Sequence, residues 1–434
     1  MGMKKTEIGM IPEDWDVQRF SDTFRILNNN TYSRAELNYA SGQFRNIHYG
    51  DVLILFPEVL DCTREDVPYI NDEVRISGSA QPLQDGDVVM ADTAEDETVG
   101  KVTEVTNTSG KPVMAGLHTI PCRVKFGEFV PKWLGYYMNS HLYHDQLLPY
   151  IHGTKVSSVS KGSLGDTVII VPKAPEQQRI VSVLSDVDAL IVDLEKLIRK
   201  KKDIRQGTMQ MLVTGKKRLL EFDRDSVEKK PTEAGAIPKT WNCKKIGNFT
   251  DVFSGGTPDT KSSDYWGGDI PWMNSGELHL KYVKNVEGRI TEKGLNNSSA
   301  HMIPKNCVLI GLAGQGKTRG TAAINFMSLC TNQSIAAIYP SDEHDALFLF
   351  YVMDSKYSLL REISSGEGGR GGLTKALIKN VSVQLPPLPE QRAIAKILLD
   401  IDTEIEKLEK KLQKYKKIKQ GMMEELLTGK VRLM

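Results

Sequence analysis

PEQQRIVSVLSDVDALIVDLEKLIRKKKDIRQGTMQMLVTGKKRL, residues 175–219, returns from Pro389 as PEQRAIAKILLDIDTEIEKLEKKLQKYKKIKQGMMEELLTGKVRL. The two copies align without a gap at an offset of 214 residues, pairing Glu176 with Glu390, Gln177 with Gln391, Asp186 with Asp400, Asp188 with Asp402, Gln206 with Gln420 and Gly207 with Gly421. Both close on LxTGKxRL. Internal repetition of this kind sets the architecture before any local reading. A second pair of matched segments, EIGMIPEDW (7–15) and EAGAIPKTW (233–241), opens the stretch that precedes each copy, at an offset of 226. The chain therefore reads as domain, long segment, domain, long segment: 1–174, 175–219, 220–387 and 388–434, with the polar LEFDRDSVEKKPTEAG (220–235) between the halves.

The long segments are helical by their periodicity. Apolar residues recur at Ile180, Leu184, Val187, Ile191, Leu194 and Ile198 in the first copy. In the second they recur at Ile394, Leu398, Ile401, Ile405, Leu408, Leu412, Tyr415 and Met422, with Lys419 filling one place. Steps of three and four residues are the heptad seam of a coiled coil. An amphipathic helix packed on its own domain gives the same pattern, and heptads alone permit parallel as well as antiparallel pairing. The proline before each run and the glycine of each TGK bracket the helices. The globular halves differ in character. VVMA (88–91), TVIIV (167–171), CVLIGL (307–312), SIAAIYP (334–340) and NVSVQLP (380–386) read as short strands between Gly- and Asn-rich turns, while WLGYYMNS (133–140) and LFLFYVMDS (347–355) read as one helix in each half. The expected class is α+β, with two mainly-β domains.

Charge follows the repeat. The net charge of +1 hides two long segments holding 21 Lys/Arg against 14 Asp/Glu, which leaves 35 against 41 elsewhere. Residues 1–174 alone hold 16 against 23. The five cysteines, Cys62, Cys122, Cys243, Cys307 and Cys330, are scattered and form no CxxC pair, so neither a zinc site nor a disulfide framework is signalled. No stretch approaches 18 apolar residues, and MGMKKTEIGMIPEDWDV lacks the apolar core of a signal peptide. A cytoplasmic setting is expected.

One motif points elsewhere. GLAGQGKT (311–318) matches the phosphate-loop pattern GxxxxGK[ST] letter for letter. A working phosphate loop needs a strand before it and a helix after it, because the helix N-terminus completes the anion site. CVLIGL supplies the strand, but RGTAAINF reads as a second strand. At an offset of 220 the first half carries AEDETVGKV at the same place, with Glu97 facing Lys317. An acidic loop cannot hold phosphates, so the glycines are read as a hairpin tip. HExxH, GxSxG and metal-spaced histidine pairs are absent from the sequence, and the chain reads as non-catalytic.

These pieces together resemble the specificity subunit of type I restriction–modification systems. The resemblance spans nearly the whole chain and rests on IPxxW opening each half, SGGTPDTKSSDYWGGDIPW (254–272), IGLAGQGKTRG (310–320), CTNQSIAAI (330–338) and PLPEQRAIAKIL (387–398) leading into a Lys-rich helix ending LLTGKVRL. The first half departs from it: Asn28-Asn29-Asn30-Thr31 stands where the second half has Ser254-Gly255-Gly256-Thr257, and NIHYGDVL (46–53) replaces DIPW. The resemblance implies two target-recognition domains, each reading half of a bipartite DNA site. It also implies an antiparallel coiled-coil pair with an internal pseudo-two-fold repeat, which sets the spacer and docks two methyltransferase subunits. S-adenosylmethionine, ATP and magnesium would belong to the methyltransferase and motor-endonuclease partners, with no cofactor or metal in this chain. A coiled-coil scaffold without DNA specificity is the alternative.

Loops rather than single atoms are expected to meet DNA. In the second half the candidates are Thr257, Lys261, Lys317, Arg319, Gln333, Arg370 and Lys375. In the first half they are Asn28, Asn29, Asn30, Thr31, Arg34, His118 (set opposite Gln333), Lys155 and Lys161. Arginine can read guanine, and Asn or Gln adenine, through paired hydrogen bonds.

Overall fold

Each half of the chain builds a five-stranded sheet around apolar runs too continuous for strands wetted on one side. The computed structural model describes the chain except residues 1, 77, 79, 127–128, 154–155, 224–227, 234, 315, 365–371 and 434. It divides into two compact units: Met1–Glu195 with Lys410–Met434, and Lys196–Glu409.

In the first unit, β1 (Phe24–Ile26), β2 (Val59–Asp61), β3 (Val88–Ala91), β4 (Val102–Thr106) and β5 (Thr119–Val124) lie in the order β1-β5-β3-β4-β2. Strands β2 and β4 run parallel and the other neighbours antiparallel. Side chains alternate between two cores. Val88, Met90, Val102 and Ile120 face α1 (Trp133–Met138) and the start of α2 (Ala174–Val213), while Val89, Ala91 and Val105 face Ile47 and Val113 of a smaller four-stranded sheet. With both faces covered, all four residues of VVMA are buried.

The second unit repeats the topology. Strands β6 (Val252–Ser254), β7 (Tyr282–Val283), β8 (Val308–Gly311), β9 (Ala322–Asn325) and β10 (Ile335–Ile338) lie in the order β6-β10-β8-β9-β7, with β7 and β9 parallel. Val308, Ile310, Ala336 and Ile338 face α3 (Ala346–Ser355) and the start of α4 (Leu388–Leu426), whereas Leu309, Ile335 and Ala337 face the opposite core. Each IPxxW segment leads into a strand that pairs with the last strand of its domain: Asp16–Arg19 with Val168–Val171, and Asn242–Lys245 with Ser382–Leu385.

The two long helices have opposed directions where they meet inside each unit. Asp188 and Glu195 of α2 pair with Lys419 and Lys416 of α4 in the first unit; Lys201 and Arg205 pair with Glu404 and Asp402 in the second. Along the seam Leu184, Ile191, Leu194, Ile198, Leu398 and Ile405 are buried, and Val187, Ile401, Leu408 and Leu412 are half-buried. No described helix is long and apolar enough to cross a membrane.

Helical structure stops at Val213 and Leu426, short of the ends of the two repeats at 219 and 434. The cause is the glycine of each TGK, held at φ 65° in Gly215 and 71° in Gly429, a left-handed conformation that ends helices. Both glycines also lie against IPxxW. A Cβ on Gly429 would stand 2.4 Å from Pro12 Cγ, and one on Gly215 would stand 2.6 Å from Pro238 Cδ. Left-handed strain and overpacking together make Gly429→Ala cost about 2 kcal/mol. The measurement is the urea midpoint of the purified chain; an unchanged midpoint would show that neither the left-handed backbone nor Pro12 resists the added methyl group.

Candidate nucleic-acid interface

The loops at one end of each five-stranded sheet carry most of the residues that the sequence marks for DNA. In the second unit the C-terminal ends of β6 and β8 and the N-terminal ends of β9 and β10 meet there. Thr257 follows β6 and donates its hydroxyl to Gln333 Oε1, 2.5 Å away, just before β10. Lys317 and Arg319 lie between β8 and β9. Leu373 donates its N–H to Leu312 O (3.0 Å), which brings exposed Lys375, at the start of a short helix capped by Thr374, to the same end. Lys261 is exposed further along the Thr257 loop, its N–H given to Asp259. Arg370 lies outside the described residues, as does Lys155.

In the first unit the same end holds Asn28, Asn29, Asn30, Thr31, His118 and Lys161. Ile26 pairs with Cys122 and Val252 with Ile338, so Asn28 and Ser254 occupy matching places. The asparagines are unequal. Asn28 and Thr31 are exposed, Asn29 donates to Gly116 O (3.0 Å), and Asn30 is buried, donating to Asn46 Oδ1 (2.7 Å). Asn30 is thus committed to its own fold. Arg34 is committed in part, through a bidentate pair with Asp51 at 2.7 and 3.0 Å. His118, at φ 53°, packs edge-on against Tyr49 with 5.3 Å between ring centroids and lies 3.4 Å from Asp92. Lys161 is exposed.

Strand register corrects one expected equivalence. Asp92 donates to His118 O where Leu312 donates to Ser334 O, so His118 stands opposite Ser334 and not Gln333. The connection into the last strand is four residues longer in the first half, since Glu104 matches Ile324 but Thr119 matches Ile335, which no local motif reveals.

The loop GLAGQGKTRG joins antiparallel β8 and β9 directly, with no helix after Thr318. Its closing turn is that of the β3–β4 loop. Gly320 donates to Gly311 O as Gly100 does to Ala91 O, both at 2.9 Å, and Thr321 donates to Thr318 O as Lys101 does to Thr98 O, both at 3.0 Å. Gly100 and Gly320 share positive φ, 90° and 83°. Around this shared turn the first unit carries Asp92, Glu95, Asp96 and Glu97, and the second carries Lys317 and Arg319.

The repeated sequence motifs build attachments behind these loops. Glu390 is fully buried, bound by Arg218 through Nε (2.9 Å) and Nη2 (2.8 Å) and by Trp241 Nε1 (3.0 Å). Glu176 is bound in the same way by Arg432 (2.6 and 2.8 Å) and Trp15 Nε1 (2.8 Å), and Arg432 also reaches Asp14. These bonds, with those to Glu176 first and that to Asp14 second, hold the Arg432 guanidinium above its ordinary pKa. Gln177 and Gln391, the next residues along, accept an N–H from Val130 and Asp345 at the foot of α1 and α3. IPxxW, PEQ and TGKxRL are therefore three parts of one clasp, made twice. Sequence reasoning found the motifs but not this use of them.

Comparison with known proteins agrees with this layout. The family model described as the type I restriction modification DNA specificity domain matches residues 12–206 and 238–419. A chain of Methanocaldococcus jannaschii named as the type I restriction enzyme MjaX specificity subunit is 27% identical, over 99% of this chain and 96% of its own. The MjaIX specificity subunit of the same organism is 34% identical over 45% of each chain. The crystal structure of a type I restriction–modification S subunit from M. genitalium has a TM-score of 0.56 at 13% identity, over 96% of both chains, a likeness of fold. With both halves matched by one family model, the chain belongs to the type I restriction modification DNA specificity family.

Proposed function

We propose that this chain is the DNA-specificity subunit of a type I restriction–modification enzyme, in which each globular domain reads one half of a bipartite target. The observation that carries the reading is the match of one DNA-specificity family model to both halves, each with its candidate loops gathered at one sheet end. The long helices act as an antiparallel coiled coil that fixes the spacer between half-sites and docks two methyltransferase subunits. This chain supplies recognition from inside the cell. Adenine methylation with S-adenosylmethionine, and ATP- and magnesium-dependent cleavage, belong to the methyltransferase and motor-endonuclease partners.

Phosphate contacts position such a reader and base contacts give it sequence, so the exposed Lys317 and Lys375 suit the backbone and Gln333 or Asn28 suit base edges. The test is modified-base sequencing of DNA from a methylation-free host expressing this chain with its cognate methyltransferase subunit. The expected result is methyladenine in both halves of a split motif, absent when this chain is omitted. A soluble complex that adds no methylation would leave the scaffold reading in its place.

A further inference from the structure

Where each recognition domain meets the long helices, a buried cation of one helix is held at once by the other helix and by the domain. In the first unit Lys419 of α4, buried in the seam, lies 2.7 Å from Asp188 of α2 and 2.6 Å from Glu58, the residue before β2. Tyr136 of α1 donates its hydroxyl to Asp188 (2.7 Å), and its ring lies 5.6 Å from the ammonium. Burial alone would pull the Lys419 pKa down, but the charges of Glu58 and Asp188 overcome it and the group is held above its ordinary value.

The second unit builds the same joint from different letters. Arg205 of α2 pairs with Asp402 of α4 (2.8 Å) and with Asp354 at the end of α3 (3.1 Å). Tyr282 of β7 and Tyr351 of α3 both donate hydroxyls to Asp402, and Lys281 reaches Asp354 (2.6 Å). Strand register places Glu58 and Lys281 at matching positions, since Val59 pairs with Glu104 as Tyr282 pairs with Ile324. The domain-side acid that binds Lys419 directly is thus a lysine in the second unit, and Asp354 bridges it to Arg205. The first joint sets one cation against two carboxylates, and the second sets two cations against two carboxylates.

An apolar contact could hold a domain against a helix with no such construction. Buried ion pairs are a poor source of net stability, and their best-attested use is to fix one register among several. Orientation follows at once. A parallel pairing of the repeats would set Asp188 against Asp402 and Arg205 against Lys419, like charge on like.

We infer that Asp188, Lys419, Glu58 and Tyr136 in one unit, and Asp402, Arg205, Asp354 and Tyr282 in the other, are positioning residues that lock each recognition domain to a fixed place on the helices. By that lock they set how strictly the enzyme discriminates spacer length. The inference rests on the proposed bipartite reading. A domain able to shift along or tilt on its helix reaches half-sites one base pair nearer or farther, whereas its reading loops, at the sheet end, are untouched.

The experiment uses the assembled complex with its methyltransferase subunits and DNA carrying the native half-sites at the native spacer, one base pair shorter and one longer. Asp354→Asn with Tyr282→Phe leaves the Arg205–Asp402 pair in place and removes two of the three domain groups bonded to it, with Tyr351 remaining. Methylation of the altered spacers, relative to the native one, is expected to rise by about tenfold, the scale of one lost charge-assisted hydrogen bond. The half-site sequences are expected to stay the same. Arg205→Lys, the conservative variant that supplies the cation of the other joint, is expected to retain discrimination. If the double variant does not assemble, Tyr136→Phe, which removes one hydroxyl from the other joint, carries the same comparison. Unchanged spacer discrimination in an assembled variant, or equal loss of methylation on all three DNAs, overturns the inference. A wild-type complex that methylates none of them would instead sink the proposed function.

Discussion

Replacing Arg218 by alanine is expected to lower the stability of the second unit by about 3–5 kcal/mol, the cost of leaving a buried carboxylate without its charged partner. Glu390 has no exposed surface and Arg218 only 8% of its side chain. With the guanidinium gone, the carboxylate keeps the single N–H of Trp241 against two charge-assisted bonds lost. Water cannot replace them without opening the packing of Trp241, itself fully buried. The loss arises from orphaning a charge and does not measure what the pair adds. Removing both members at once, as Arg218→Met with Glu390→Leu, is therefore expected to recover most of the difference. Urea unfolding of the four combinations measures this coupling. A loss below about 1 kcal/mol for Arg218→Ala would place the pair with solvent-screened surface bridges. Arg432→Ala is expected to act in the same direction on the first unit, and less strongly, since its second partner Asp14 is exposed to solvent.

The clasp was half legible. Its letters stood out because they recur at fixed offsets, and a repeated Glu, Trp and Arg are costly to place in an interior unless they meet. Their meeting was invisible, because Glu390 and Arg218 are 172 residues apart and no periodicity links them. The long helices and central strands were legible for the opposite reason: a seam every three or four residues, or a run of four apolar residues, is a local pattern with one packing solution. The smaller sheets hid better. Trp266–Met273 is a strand although WGGDIPWM carries two glycines and a proline: a bulge between Trp266 and Ile270 absorbs the glycines, and Pro271 stays in register opposite Arg289. Lys419 was the one visible trace of the joints, a charge in an apolar seam. Of the interface, the loops were legible and the state of each side chain was not. Asn30 reads like Asn28 in sequence, yet one is buried under Asn46 and the other faces solvent.

Reversing the acidic loop of the first domain is expected to raise affinity for unrelated DNA by about two orders of magnitude at 0.15 M salt. The loops 92–99 and 312–319 lead into the same closing turn but differ in sign of charge, and both stand at the sheet end proposed to face DNA. Glu95→Lys, Asp96→Lys and Glu97→Lys together offer up to three new phosphate contacts. At about 0.9 per contact these steepen the dependence of log K on log salt by about 2.7, which extrapolated from 1 M to 0.15 M gives that hundredfold gain. Lys317→Gln with Arg319→Gln is expected to make the dependence shallower by about 1.8 if each side chain holds one phosphate. Fluorescence anisotropy of the assembled complex on DNA without the target, from 0.05 to 0.3 M salt, reads both changes. Sequence is read by base contacts, so the methylated motif is expected to survive the reversal while its advantage over unrelated DNA shrinks. The acid loop then appears as part of the specificity: it withholds non-specific attraction on one side, so that the first domain engages only where its base contacts compensate. If the reversal leaves affinity and salt dependence unchanged, that loop lies away from the phosphates and the two domains present different sides of the same sheet end to DNA.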